Sequence, residues 1–233
     1  MNMMVQLAIG ATSPPSGIVS ARRGRSVHRN PKAPLNTAGC VVQIPKGEEI
    51  FAEGDSTFMF YMVVSGIART CKFLDDGRRQ IAAFHTSGEV FGFDLDENRQ
   101  LGAEAVSDCT LIRYRRCDIA LMAQRDHSVS RQLLQYAMQS LAQAQRHALL
   151  LATPGAARKV ASFLLDWQAR FNRQNVLHLA MTRQEIADYL ALTVKAVSRS
   201  LSQLDRAGLI ALRKRREVHL LKPEALEKLA ASR

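Results

Sequence analysis

The spacing of apolar positions changes character twice along this chain. Between residues 41 and 120, Gly47, Gly54, Gly66, Gly77, Gly88, Gly92 and Gly102 interrupt short apolar runs, most of them about 7 to 12 residues apart. That is the spacing of many short strands joined by turns. Phe60–Val64, Ala68–Leu74, Arg79–Phe84 and Cys109–Tyr114 read as strands, and Asp75-Asp76-Gly77 reads as a tight hairpin turn between two of them. An antiparallel barrel or roll is expected, a form that either encloses a small ligand or fills its own interior.

After Asp126 the period becomes helical. Leu134, Ala137, Leu141, Ala144, Ala148 and Leu151 recur at steps of 3, 4, 3, 4 and 3, the seam of a coiled coil. The pattern predicts a helix over 127–152, about 39 Å long at 1.5 Å per residue, which is long for packing within one small domain. Its alanines allow two backbones to approach closely, so the seam is expected to form a parallel dimer. Thr153-Pro154 has the form of an N-cap followed by proline at the first helical position. A new helix through Leu165 and Trp167 is predicted to start there, at a hinge between two domains.

A second helical block follows. Thr182-Arg183-Gln184-Glu185 has the S/T-x-x-E form of a capping box, so a helix is predicted from Arg183, with Ile186, Ala187 and Leu190 as its apolar face. After a break at Ala191-Leu192-Thr193, the residues Val194, Val197, Leu201 and Leu204 repeat as a second amphipathic helix. Two short helices about three residues apart make a helix-turn-helix. The second exposes Lys195, Ser198 and Arg199, donors suited to phosphate oxygens and to the acceptor-rich edge of guanine. Residues 208–212 and 218–221 then read as two strands around Arg213-Lys214-Arg215-Arg216, a wing whose cationic tip reaches flanking phosphates.

Charge sharpens this division. The 233 residues carry 32 Lys and Arg against 21 Asp and Glu, a net charge of +11. Residues 1–40 hold five cations and no acid, residues 41–180 hold 16 cations against 15 acids, and residues 181–233 hold 11 against 6. A near-neutral body with basic ends argues for a localised polyanion-binding surface. No apolar run approaches the roughly 20 residues that span a bilayer, and no membrane partner is expected. The N-terminal charges follow the apolar Met3–Ile9 stretch instead of preceding it, a poor secretory signal. The Pro-, Ser-, Gly- and Arg-containing start reads as a flexible basic tail. Cys40, Cys71, Cys109 and Cys117 form no CxxC pair and read as reduced thiols of a cytoplasmic protein. The chain has no GxSxG, HExxH, Walker A or GxGxxG string, and is not expected to be an enzyme.

With the order roll, long helix and Thr-Arg-Gln-Glu-Ile-Ala-Asp-Tyr-Leu-x-Leu-Thr-x-x-x-Val-Ser-Arg over 182–199 in view, the chain resembles the CRP/FNR family of bacterial transcription regulators, most closely its FNR/FixK branch. The resemblance covers about residues 41 to 230. It implies an α+β protein: a flexible basic tail over 1–39, a β-roll over 40–125, a dimerisation helix over 126–152, and a winged helix-turn-helix over 153–233. It also implies a homodimeric activator that binds a palindromic double-stranded DNA operator and contacts RNA polymerase, in low-oxygen or nitrogen-fixation programmes. The candidate DNA-contacting set is Thr182, Arg183, Gln184, Thr193, Lys195, Ser198, Arg199, Arg213, Lys214, Arg215 and Arg216.

Departures from the family pattern set further expectations. Gly88-Glu89 keeps the turn with which relatives hold cyclic AMP, but Leu101-Gly102 stands where an Arg-Ser or Arg-Thr pair neutralises the phosphate. Arg99 is the nearby cation. Cyclic AMP is therefore not expected as a ligand. An iron-sulfur cluster needs four ligands, and only Cys40 lies near the N-terminus, with Leu111 at the place of the roll cysteine, so no cluster is expected either. Control by abundance or an upstream cascade is the leading expectation, and an unidentified small effector in the roll is the alternative. Lys195 replaces a glutamate that usually accepts from a base, which puts the usual half-site in doubt at that position. Ala191 replaces a frequent glycine, a substitution costing on the order of 1 kcal/mol if the backbone there has positive φ.

Overall fold

The computed structural model describes residues 39–94, 96–171, 175–214 and 216–231. The predicted tail, apart from Gly39, lies outside them. Eight strands come first: β1 (Cys40–Ile44), β2 (Glu49–Phe51), β3 (Met59–Ser65), β4 (Ala68–Phe73), β5 (Arg79–His85), β6 (Val90–Phe91), β7 (Gly102–Ala105) and β8 (Cys109–Arg115). Helices α1 (Arg116–Arg125), α2 (His127–Ala152) and α3 (Ala156–Arg170) follow. The chain continues through β9 (Val176–His178), α4 (Arg183–Leu190), α5 (Val194–Arg206), β10 (Ile210–Lys214), β11 (Glu217–Leu220) and α6 (Pro223–Ala231).

The roll consists of two antiparallel four-stranded sheets, ordered β1-β8-β3-β6 and β2-β7-β4-β5. Alternation along β3 shows how it is assembled. Tyr61 and Val63 point between the sheets, with Phe51, Phe91, Ala103 and Leu111, whereas Phe60 and Met62 point outward beneath Ile119 of α1 and Val129 and Tyr136 of α2. Successive strand residues face opposite ways, so a strand covered on both sides reads as the unbroken apolar run Phe60–Val63. The β4–β5 turn closes as the Asp-Asp-Gly signal predicts. Gly77 sits at φ +80°, and its N–H donates to the Leu74 carbonyl at 2.8 Å.

The outer face of the second sheet has a different cover. Cys71, Ile81 and Phe84 share one apolar core with Phe163, Leu164 and Trp167 of α3 and with Ile186, Tyr189 and Leu190 of α4. Phe163 and Trp167 are fully buried, each such side chain stabilising by roughly 1.5–3 kcal/mol. The helix-turn-helix is thereby packed onto the roll.

Helix α2 spans His127–Ala152, as the a/d period predicts, with the Asp126 carboxylate accepting from the Ser128 N–H at 2.8 Å. The restart after it differs from expectation. Thr153 ends α2 instead of capping α3, its hydroxyl donating back to the Leu149 carbonyl at 3.1 Å. Gly155, at φ 87° and ψ 124°, precedes the first turn of α3. That conformation is open to glycine and closed to threonine, and it moves the helix start beyond Pro154. No helix among the described residues is long and apolar enough to cross a membrane.

Candidate nucleic-acid interface

The reading head is built by two caps and one strained residue. Thr182 and Glu185 form the predicted capping box, with the Glu185 N–H donating to Thr182 Oγ1 at 3.2 Å and the Thr182 N–H to the Glu185 carboxylate. Helix α4 then ends at Leu190, and Ala191 turns the chain at φ 50° and ψ 51°, the left-handed conformation for which glycine is suited. Thr193 opens α5 by accepting from the Ala196 N–H at 3.1 Å. Thr182 and Thr193 thus shape the motif through their side-chain oxygens, whatever else they touch.

Buried Lys159 of α3 supplies a contact that the sequence pattern does not reveal. Its ammonium donates to the Leu190 carbonyl at 3.3 Å, satisfying a helix-end acceptor at the turn. The apolar stripe of α5, Val197, Leu201 and Leu204, is buried against this frame. The opposite side presents Lys195 and Arg199 exposed, with Ser198 half-buried between them. Gln184 is exposed and donates to Asp188 at 2.6 Å. Arg183 is half-buried, and its Nη1 is enclosed without a hydrogen-bond partner.

The wing is a three-stranded sheet ordered β10-β11-β9. Strand β9 is three residues long, too short to carry a legible period in the sequence. Arg213 and Lys214 are exposed at the end of β10, and Arg215 lies outside the described residues. Arg216 departs from the picture of four cations at a free tip: its guanidinium turns back to donate to the Ala180 carbonyl at 3.0 Å. Glu217 tempers the tip further, with Lys214 at 3.8 Å. His219, hydrogen-bonded to Glu217, holds that carboxyl below its usual range.

Charged and polar clasps tie this head to the roll. Arg69 of β4 donates to both Glu104 of β7 and Glu185 of the capping box. Arg79 of β5 grips Asp188 through Nε and Nη2 at 3.0 and 2.9 Å. The His147 Nε2–H of α2 donates to the Tyr189 carbonyl at 2.8 Å, and the two rings stack at 4.1 Å. Burial pushes the His147 pKa down, which keeps the imidazole neutral beside its carbonyl.

On α2, Val129, Tyr136 and His147 face the protein. Most of the predicted seam faces away from it, while Ala144 also borders a cavity beside the roll. Leu134 is 62% exposed and Leu141 52%, Ala137, Ala144 and Ala148 are exposed, and Leu151 is half-buried. Met138 and Leu149, at 58% and 73%, extend this apolar face beyond the a/d positions read from the sequence. In the roll, Gly88 turns at φ +90°. Glu89 accepts from the Thr86 N–H at 2.7 Å and faces Arg170 at 3.6 Å. Leu101 lines a cavity, and Arg99 is buried behind that cavity's wall, bonded to Asp94 and to the Met59 and Gly92 carbonyls.

Comparison with known proteins agrees with this architecture. Residues 158–229 match the Crp-like helix-turn-helix domain, and residues 41–126 match the cyclic nucleotide-binding domain. The nitrogen fixation regulation protein FixK of Rhizobium meliloti (strain 1021) is 40% identical over 197 residues, covering 84% of this chain and 90% of that protein. The protein of the same name from Azorhizobium caulinodans is 41% identical over 189 residues, covering 79% and 76%. The solved structure of FixK2 from Bradyrhizobium japonicum superposes with a TM-score of 0.79 at 36% identity, covering 84% of this chain and 99% of that one. The chain belongs to the CRP/FNR family and is a sequence-specific DNA-binding transcription regulator of the FixK-like kind.

Proposed function

We propose that the chain works as a homodimeric activator without enzymatic activity, joined along the exposed face of α2 and bound to a two-fold symmetric operator in the cytoplasm. Each protomer lays α5 in the major groove of one half-site, while Arg213 and Lys214 approach neighbouring phosphates. RNA polymerase is the partner through which it activates. The relatives named as nitrogen fixation regulation proteins support a low-oxygen or nitrogen-fixation programme.

The observation that carries this reading is the outer face of α5. Lys195, Ser198 and Arg199 project from a helix capped at its start and buried along its opposite stripe. These three are all donors, suited to phosphate oxygens and to guanine O6 and N7. The unpartnered apolar face of α2 supports the dimer, since a contiguous apolar surface of this kind marks an interaction site. In vitro selection from a random duplex library tests both together. The expected enriched site is an inverted repeat with half-sites one helical turn apart. An enriched site without two-fold symmetry would refute the dimeric reading, and no enrichment at all would refute sequence-specific recognition by this head.

A further inference from the structure

Between the roll and α2 lies a cavity of about 300 Å³, and its chemistry disagrees with the ligand that the domain family implies. A cyclic nucleotide brings a phosphodiester anion, and an anion taken out of water without a cation or converging N–H groups costs several kcal/mol. Among the described residues, the lining contains no Lys or Arg. Arg99 does not serve: it stacks at 3.7 Å over the Phe51 ring and bonds Asp94 at 3.1 Å. The backbone donors of the Gly88-Glu89 turn are also engaged, bonding the Val63 and Thr86 carbonyls at 2.8 and 2.9 Å. His85 lines the cavity as a neutral imidazole, its pKa held down to about 3 chiefly by burial. Asp94 of the lining is already paired with Arg99 at 3.1 Å, so that pair leaves no cation free for an anion.

What the lining offers instead is a slot for a flat apolar body. Phe51, Phe91 and Phe93 contribute rings, and His85 stacks on Phe91 at 4.6 Å. Val90 and Leu101 fill the walls, Ser140 and Gln143 bring a hydroxyl and an amide to the lining, and the Thr70 hydroxyl is bonded to His85 at 3.1 Å. We propose that this cavity is a binding site for a small, uncharged, planar molecule with a hydrogen-bonding group at its edge, and that it does not hold a cyclic nucleotide.

The lining is linked to the reading head through Phe84. Gln143 donates to the Phe84 carbonyl at 3.2 Å, the same oxygen that Arg170 of α3 holds at 2.9 Å. The Phe84 ring packs on Tyr189 of α4 at 5.2 Å. The inference goes beyond the operator reading and is tested without DNA, so either can fail alone.

Isothermal titration of the full chain with 2-naphthamide and 2-naphthoate, the same ring bearing a neutral amide or a carboxylate, decides it, with cyclic AMP as a third probe. Saturable binding of one naphthamide per protomer is expected, at least tenfold tighter than naphthoate, with no cyclic AMP binding over the same range. Ala83→Phe, which adds a ring to the lining from β5, removes the binding. Leu101→Arg gives the lining a cation and brings naphthoate to at least the affinity of naphthamide. The proposal is overturned by absent naphthamide binding or by wild-type binding of naphthoate or cyclic AMP as tight as that of the amide. Undiminished binding in folded Ala83→Phe, or an amide preference that persists in Leu101→Arg, overturns it equally.

Discussion

Ala191 holds a left-handed conformation at a cost that glycine avoids. Ala191→Gly is expected to stabilise the chain by up to about 1 kcal/mol, the relief of that cost being partly offset by glycine's greater freedom when unfolded. Thermal unfolding should show a rise of about 2–4 °C, and an unchanged or lower midpoint would contradict the strain. Lys159 works at the same turn but was not legible, because a lysine in an amphipathic helix reads as solvated until its neighbours are placed. His85 gives the sign of a pH dependence. Burial, with the Arg170 charge second, lowers its pKa from 6.5 to about 3, so the unfolded chain takes up a proton near pH 6.5 that the folded chain refuses. The stability is full above pH 6.5 and falls by up to about 1.4 kcal/mol per unit as pH drops toward 3. His85→Gln should flatten denaturation free energies between pH 6.5 and 5, and equal slopes would refute this assignment.

At the scale of elements, Glu185 does two jobs that one pair of substitutions separates. Glu185→Gln keeps an N3 partner for Thr182 but removes the charge facing Arg69, whereas Glu185→Ala loses both. The alanine variant is expected to be less stable than the glutamine variant by about 1 kcal/mol, the usual worth of a cap. Equal stabilities by urea denaturation would show the box to be idle. The capping box, α2 and the β4–β5 hairpin were legible because their signals are local: a four-residue string, a 3–4 period and an Asp-Gly turn. The Arg69–Glu185 clasp joins residues 116 positions apart, and no spacing rule reaches that far. Thr153-Pro154 misled for the opposite reason, since a valid local signal lost to Gly155, whose backbone freedom moved the helix start. The exposed face of α2 carries its own test. Leu141→Lys places a charge on the seam and should yield monomers in sedimentation equilibrium, and an unshifted dimer would refute that interface.

Across the whole molecule, the uneven charge of the sequence becomes a division of labour. The near-neutral middle folds into a roll whose acids and bases pair with one another and with the head: Arg69 with Glu104 and Glu185, and Arg79 with Asp188. The C-terminal excess stands on α5 and the wing. Composition foretold that excess but not how much of it is free, because the turn of Arg216 onto Ala180 depends on a loop 36 residues earlier. Neutralising Arg213 and Lys214 together should weaken all DNA sequences alike and reduce the salt slope by about 0.9 per lost phosphate contact. The most direct measurement concerns Arg199. Fluorescence anisotropy at fixed salt, comparing wild type and Arg199→Ala on the selected operator and on scrambled duplex, should show a loss of about 1–3 kcal/mol per half-site on the operator and little change on the scrambled sequence. Operator affinity that survives the substitution with its discrimination intact would mean that α5 is not the helix that reads DNA.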